Sequence, residues 1–352
     1  MENKEKKKRL RLFDIQRDGK GISKNQKELE PGLKRFFISL KNNFGKIVSV
    51  NIIMVLGNFP AIFLIMALAG VTKNDIFVPL SDVFQNINGI IQASDSSTAF
   101  EMTLIAMRGL QMQDLAPSAM TYIFYALGAL TLFTFGLVNV GTAYIIRNLV
   151  SGEPVFVWSD FIYAVKRNVK QALPFGIIDA AICALLTFNI YTLVFESGAF
   201  IGSMLFWSEI ILFILYFFMR FYIYVQMVTF KLSVFKILKN SLIFALLGFK
   251  RNFMALLGII LVLLLEVLFL FGSGGILVPL AVAAPLALLF SLFAYMKVYA
   301  SYFKIKEIMI DPYLDEHPEQ REAYDDSEVI MRDDVTERER LEEIKKKNNI
   351  SY

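Results

Sequence analysis

Four ionisable side chains interrupt long apolar stretches of this 352-residue chain. Asp179 stands in FGIIDAAIC, Glu209 in FWSEIILF, Arg220 in FFMRFYIY and Glu266 in LLLEVLFLF. A charge surrounded by hydrocarbon is costly, so such residues face a helix-bundle interior or water and pair with one another. The sequence therefore predicts a buried charge cluster, able to form ion pairs or to pass protons or a solute.

Two of these residues lie at a similar depth in their apolar stretches. Asp179 is nine residues after Lys170, and Arg220 is eleven before Lys231. At a rise of 1.5 Å per residue both lie roughly 15 Å from the basic ends of their helices, which predicts an ion pair. Glu209 lies eleven residues before Arg220 and shares its helix face. Two interpretations are open: a structural salt bridge with protonated glutamates that fix packing, or a substrate or proton path.

Residue types that usually carry catalysis are sparse. His317 is the only histidine and lies in an acidic tail, while Cys183 is the only cysteine and lies in an apolar run. A histidine-based nucleophile, a zinc site and an intramolecular disulfide therefore lack partners. The chain also has no phosphate-binding glycine loop, no H-E-x-x-H and no paired-cysteine motif. We expect a non-enzymatic protein with no catalytic residue, cofactor, metal or nucleic-acid partner.

The charged residues are positioned by long apolar segments, and 56% of the chain is apolar. About 20 apolar residues suffice for a helix to cross a bilayer. The sequence predicts an all-α polytopic membrane protein whose first span follows more than forty polar residues and is not a signal peptide. The six apolar runs are 47–70, 121–146, 171–196, 201–230, 253–272 and 275–296.

Basic residues predict the orientation of these spans. The N-terminal leader and the joints at 147–170 and 231–251 are rich in Lys and Arg, whereas the other connections are not. By the positive-inside rule both termini and both basic joints are cytoplasmic, and the leader lies near anionic lipid headgroups. The predicted parts are a leader (1–38), a membrane domain (39–302) with an outer insertion (71–119), and an acidic tail (303–352).

A short motif precedes three of the apolar runs. It reads Lys41-Asn42-Asn43, Lys166-Arg167-Asn168 and Lys250-Arg251-Asn252, each between apolar residues. This internal repeat predicts three helical hairpins, each entered through an amphipathic elbow helix in the membrane interface. Each asparagine is placed to cap the following helix. The motif is interpreted either as a topological anchor or as a docking surface for a partner.

Prolines and glycines predict local departures from straight, separated helices. Pro60, Pro279 and Pro285 each remove a backbone hydrogen bond, so the first and last spans are expected to kink. Gly136 and Gly141 are expected to let the second span approach a neighbour closely.

Two segments lie outside the repeat, the outer insertion and the acidic tail. Helical periodicity predicts two amphipathic helices in the outer insertion, at 82–93 and 97–112. They either cap the bundle or lie on the membrane surface. A short charged helix is predicted at 333–347 in the acidic tail.

Three segments carry a resemblance to a known family: LFDIQRDGKGISKN, FGLVNVGTAYIIRNLVSGEPVFVWSDFIYAVKRNVKQA and LSVFKILKNSLIFALLGFKRNFMALL. They resemble the YesL-like membrane proteins of Gram-positive bacteria, a family of unassigned function. The resemblance covers most of the membrane part but neither the insertion nor the tail. It implies a bacterial cytoplasmic membrane and turn, anchor and close-packing roles for Gly136, Gly141, Tyr144, Arg147, Gly152, Phe161, Lys166, Asn168, Lys250 and Asn252.

The resemblance also implies a functional setting, because its members are thought of as companions of carbohydrate transport systems. The expected function is that of an accessory or regulatory partner of a carbohydrate uptake system, with the lipid bilayer and membrane transporter subunits as partners. The alternative is a small-solute transporter that uses Asp179, Arg220 and Glu209.

Overall fold

The apolar runs form long helices in the computed structural model, which describes residues 30–77, 103, 113–196 and 200–316. The structure is about 87% helical, which confirms the all-α class. In the part of the chain that the structure describes, five helices are long and apolar enough to cross a membrane, and a bent pair makes a sixth if it counts as one span. The chain therefore has the build of a multi-pass membrane protein.

The described residues of the first half form five helices and a small β-ribbon. Strands β1 and β2 pair antiparallel, from Lys73 opposite Pro117 to Phe77 opposite Gln113. This ribbon closes the base of the insertion and was not predicted. Apart from Thr103, which is helical, the predicted insertion helices lie outside the described residues. The elements are α1 Leu33–Asn42, α2 Phe44–Gly57, α3 Pro60–Leu68, β1 Lys73–Phe77, β2 Gln113–Pro117, α4 Ala119–Ala129 and α5 Thr131–Ser151.

In its described residues the second half consists of helices joined by short non-helical connections, at 230–233, 248 and 273–277. Helix α11 is central, since it contacts α2, α5, α7 and α9. Helical structure continues to Glu316, past the predicted start of the tail, and the tail helix predicted at 333–347 lies outside the described residues. The elements are α6 Val157–Glu196, α7 Phe200–Thr229, α8 Val234–Leu247, α9 Phe249–Val267, a π-turn Leu268–Gly272, α10 Val278–Ala284, a π-turn Pro285–Leu289, α11 Phe290–Ile305, a π-turn Lys306–Ile310 and α12 Asp311–Glu316.

The three prolines act differently. Helices α2 and α3 meet at an angle of 61° beside Pro60, which confirms the predicted kink. The predicted kink at Pro279 is wrong, because this residue lies in the first turn of α10, where the backbone N–H has no helical partner to lose. Pro285 opens a π-turn inside a helical stretch that continues from Val278 to Glu316.

A buried asparagine compensates for the backbone disruption at Pro285. The Nδ2 of Asn51 donates to the carbonyls of Pro285 and Leu286, both at 2.8 Å. Its Oδ1 accepts from the N–H of Ser291 at 2.9 Å. Backbone groups without a partner are costly inside a membrane, so this side chain both satisfies the π-turn and ties α2 to the last span.

Glycines allow α5 and α6 to approach each other closely. A Cβ on Gly136 would lie 2.6 Å from the Cα of Gly176, so α5 and α6 can cross here only without side chains. A Cβ on Gly141 would overlap the ring of Phe161. The predicted close approach of this span is confirmed. Gly152 has φ +94° and ends α5, which is a conformation that favours glycine.

Polar side chains lie in the interior and large apolar side chains lie on the surface, which is the reverse of a water-soluble domain. Asn51, Asp179, Gln226 and Asn252 are fully buried, whereas many large apolar side chains on the outward helix faces, such as Phe271 at 81%, are exposed. Apolar surface on this scale requires a lipid or protein environment.

Candidate functional site

The carboxylate of Asp179 on α6 is fully enclosed and fully partnered. The Nε of Arg220 on α7 lies 2.9 Å from Oδ1 and donates to Oδ2 at 3.2 Å. The Tyr216 hydroxyl donates to Oδ1 at 2.8 Å, and the Tyr224 hydroxyl donates to Oδ2. The Cys183 thiol donates weakly to Oδ1 at 3.7 Å. The structure thus brings Asp179 and Arg220 together within a polar centre, which we call the Asp179 cluster.

The spacing of these donors along each helix directs them to Asp179. Tyr216, Arg220 and Tyr224 are four residues apart, so all three point to one face of α7. Asp179 and Cys183 have the same spacing on α6. Sequence reasoning missed both tyrosines, although the pattern Tyr-x-x-x-Arg-x-x-x-Tyr within an apolar run was the available signal.

Lys297 on α11 adds a second cation. It is half-buried and lies within electrostatic range of Asp179 and Arg220. Its ammonium group makes no hydrogen bond or ion pair with any described residue. The Arg220 side chain keeps 18% of its surface exposed and also stacks on Phe135, with Cζ 5.3 Å from the ring centre. Arg220 therefore contacts the carboxylate of Asp179 directly, and Lys297 lies near this pair without contacting it.

The two glutamates do not join this centre, so the predicted four-residue cluster is wrong in that respect. Glu209 is half-buried and accepts from Asn189 Nδ2 at 3.1 Å. This contact is a second polar link between α6 and α7, roughly 15 Å along the helix from Asp179. Glu266 is half-buried on α9 and has no polar partner among the described residues. Depth separates both from the ion pair.

The first two copies of the repeated motif present cations but no helix caps. Lys41 and Lys166 are exposed. Asn43 Nδ2 donates back to Ser39 O at 3.0 Å, and its side chain does not cap α2. Asn168 lies inside the uninterrupted helix α6 and donates to Ala164 O at 2.8 Å. Arg167 donates to the Tyr163 hydroxyl at 3.3 Å.

The third copy is more deeply integrated. Lys250 is exposed, and Arg251 Nη2 lies 3.3 Å from an oxygen of Glu307. Asn252 is fully buried, accepts from the Tyr222 hydroxyl at 2.7 Å and donates to Ala245 O at 3.1 Å. Predicted capping is wrong for all three asparagines, because each side chain bonds to the preceding turn or to another helix.

Arg147, one of the positions carried by the family resemblance, joins two helices. Its Nε and Nη2 donate to Asn148 Oδ1 at 2.9 and 2.6 Å, and its Nη1 reaches Val228 O at 3.5 Å. The guanidinium lies 5.1 Å from the ring centre of Tyr144. These contacts fix the end of α5 to the end of α7.

Within the described ranges, no group of three or more His, Cys, Asp or Glu residues is placed to hold a metal ion. No protein-family model, curated protein or solved structure matches the chain.

Proposed function

We propose that the chain is a YesL-like protein of the bacterial cytoplasmic membrane, with six spans in three hairpins and both termini in the cytoplasm. Contacts between α3 and α4, between α6 and α7, and between α9 and α11 support this pairing. The basic joints support the orientation, because Lys and Arg accumulate on the cytoplasmic side.

Within this arrangement the protein acts as a non-enzymatic accessory or regulatory partner of a carbohydrate uptake system. The observation that carries this proposal is that the hydrogen-bond acceptor capacity of the Asp179 carboxylate is fully used within the protein. Its two oxygens accept from one guanidinium, two hydroxyls and a thiol, and none of its surface is exposed. A carboxylate without accessible surface or spare acceptor capacity is suited to hold helices together rather than to bind a solute.

The elbow motifs supply the surface for a partner. Lys166 is exposed near the start of α6, where Trp158 is also 64% exposed. Lys41 and Lys250 are exposed at the corresponding positions of the other two copies. Exposed aromatic and basic side chains on one joint fit docking to another membrane subunit, which is the second of the two interpretations of the motif.

A solubilisation experiment tests the accessory function. The tagged chain is purified in mild detergent from its host, and the co-purifying proteins are identified by mass spectrometry, with a tagged unrelated multi-pass protein as control. We expect subunits of a carbohydrate transporter to be enriched over the control. Recovery of the chain alone, together with normal growth of a deletion strain on every carbohydrate of a panel, contradicts the proposal.

A small-solute transporter is the second candidate, and Lys297 favours it. Among the described residues this cation has no counter-charge of its own beside the Asp179–Arg220 pair, and Arg220 keeps accessible surface. A surplus positive charge inside a membrane domain fits an anionic solute. The purified chain in liposomes would then take up a radiolabelled sugar phosphate by itself, and Lys297→Met would abolish that uptake.

A further inference from the structure

An apolar groove of about 750 Å³ lies between α1, α9 and α11. Its walls include Phe37, Met254, Gly258, Leu261 and Met296. This volume is within the range of small-molecule sites, and side chains such as Phe37 and Leu261 are themselves exposed. The groove is therefore open to whatever apolar medium surrounds the helices.

One end of the groove is basic. Lys250 and Arg251 line it there, and Arg251 also lines an adjoining cavity of about 430 Å³ that includes Arg35, Lys306 and Glu307. Four cations thus surround the junction of the two cavities, against the carboxylates of Glu307 and of Glu30, which also lines the smaller cavity. The junction favours an anion.

Arg251 holds an unused donor at this junction. Its Nη2 pairs with Glu307 at 3.3 Å, but its Nη1 is buried and has no hydrogen-bond partner among the described residues. A buried guanidinium N–H without an acceptor is costly. A phosphate oxygen is the acceptor that matches the planar, multi-donor geometry of arginine.

The basic end and the apolar groove together match a lipid in length. Lys250 and Leu261 on α9 are eleven residues apart, which is about 16 Å and close to half of a roughly 30 Å hydrocarbon core. One acyl chain covers that depth. The chain's own leader is a poor occupant of the basic end, because it has more Lys and Arg than Asp and Glu.

We propose that this groove binds one anionic phospholipid, with its phosphate on Arg251 and Lys250 and an acyl chain along α9 towards Leu261. The bound lipid would join α1 to the bundle through the groove wall that contains Phe37. The site shares no residue with the Asp179 cluster. Lys250 also belongs to the exposed set proposed above for partner docking, but lipid binding does not require that partner.

Native mass spectrometry on the delipidated full-length protein tests this site. Phosphatidylglycerol is titrated against phosphatidylcholine with the same acyl chains. We expect phosphatidylglycerol to bind at least tenfold more tightly, and Arg251→Gln to abolish that preference. Gly258→Leu, which extends a side chain into the groove beside Met296, should weaken both lipids.

Two variants separate lipid recognition from structural damage. Glu307→Gln breaks the same ion pair as Arg251→Gln but leaves the guanidinium, so it should keep or strengthen phosphatidylglycerol binding. Arg167→Gln changes the equivalent arginine of the second motif, which lines neither cavity, and should change nothing. Equal binding of the two lipids, equal effects of Arg251→Gln, Glu307→Gln and Arg167→Gln, or displacement of phosphatidylglycerol by a co-purifying protein would overturn the proposal.

Discussion

At the level of single side chains, Asp179 and Arg220 form a buried ion pair that two tyrosines complete. A buried carboxylate stripped of its cation, or a cation stripped of its carboxylate, is an uncompensated charge in a low-dielectric interior. When Asp179→Asn and Arg220→Gln are combined, two neutral amide side chains remain, which the hydroxyl groups of Tyr216 and Tyr224 can still contact. The pair is therefore expected to be strongly coupled.

We predict that Asp179→Asn and Arg220→Gln each lower the stability of the purified protein by roughly 3 to 5 kcal/mol, and that the double variant recovers much of this loss. Thermal unfolding in detergent measures the effect. Glu266→Gln is the matched control and should change stability little, since Glu266 has no polar partner among the described residues. Losses that simply add in the double variant would show that the two residues are not coupled.

Part of this centre was predictable from the sequence. Counting residues from the basic ends places Asp179 and Arg220 at one depth, and the structure brings them within 2.9 Å. Tyr216 and Tyr224 were missed because a tyrosine in an apolar run counts as apolar until its hydroxyl finds a partner. Lys297 was missed because the last apolar run was ended at residue 296, whereas the helix continues.

At the level of helices, the crossing of α5 and α6 depends on Gly136 and Gly176. We predict that Gly136→Ala destabilises the protein by roughly 1 to 3 kcal/mol, because the added methyl group overlaps backbone atoms of α6 that cannot move without separating the helices. The same measurement of thermal unfolding applies. Gly45→Ala, where the added Cβ meets nothing within 4 Å, should be neutral or slightly stabilising. Equal losses at both positions would contradict the close crossing.

Lys166 and Arg167 distinguish the two interpretations of the elbow motif. If Lys166 and Arg167 form a docking surface, reversing both to Glu should release the co-purifying partner while the chain still inserts normally. If they are topological anchors, the same change should lower membrane yield or scramble orientation, which protease accessibility of the C-terminal tail reports. Unchanged yield, orientation and partner recovery would refute both interpretations.

Helix boundaries were less predictable than helix existence. Asn168 follows a basic pair and precedes an apolar run, which is the pattern of a cap, yet α6 runs through it and through Pro174 without a break. Packing of the long helix against α5 and α7 outweighs this local signal. By contrast, Asn43 does separate two helices.

For the whole molecule, the count of spans depends on whether the bent pair α2 and α3 crosses the bilayer once. We predict that, in a Cys183→Ser background, a cysteine introduced at Ser96 reacts with an impermeant thiol reagent on intact cells, whereas one at Ser233 or Ser327 reacts only after permeabilisation. Labelling of Ser233→Cys or Ser327→Cys from outside would contradict six spans with cytoplasmic termini.

The all-α class followed from the length of the apolar runs, and the bend between α2 and α3 followed from the position of Pro60, because both signals are local in the chain. The β-ribbon at Lys73–Phe77 and Gln113–Pro117 did not, since pairing two segments so far apart depends on contacts that no local pattern encodes. The bond from Asn51 to Pro285 and Leu286 is non-local in the same way.

The central claim is that the Asp179 cluster holds the membrane domain together and that function passes through a partner. Carbohydrate uptake by a deletion strain complemented with the Asp179→Asn, Arg220→Gln double variant tests it, with membrane levels matched to the wild type by immunoblot. The strain is assayed on the carbohydrate whose uptake the deletion impairs. We predict uptake close to that of the wild type. A double variant that is stable and present at normal levels but fails to restore uptake would contradict the claim and place the cluster on a solute path.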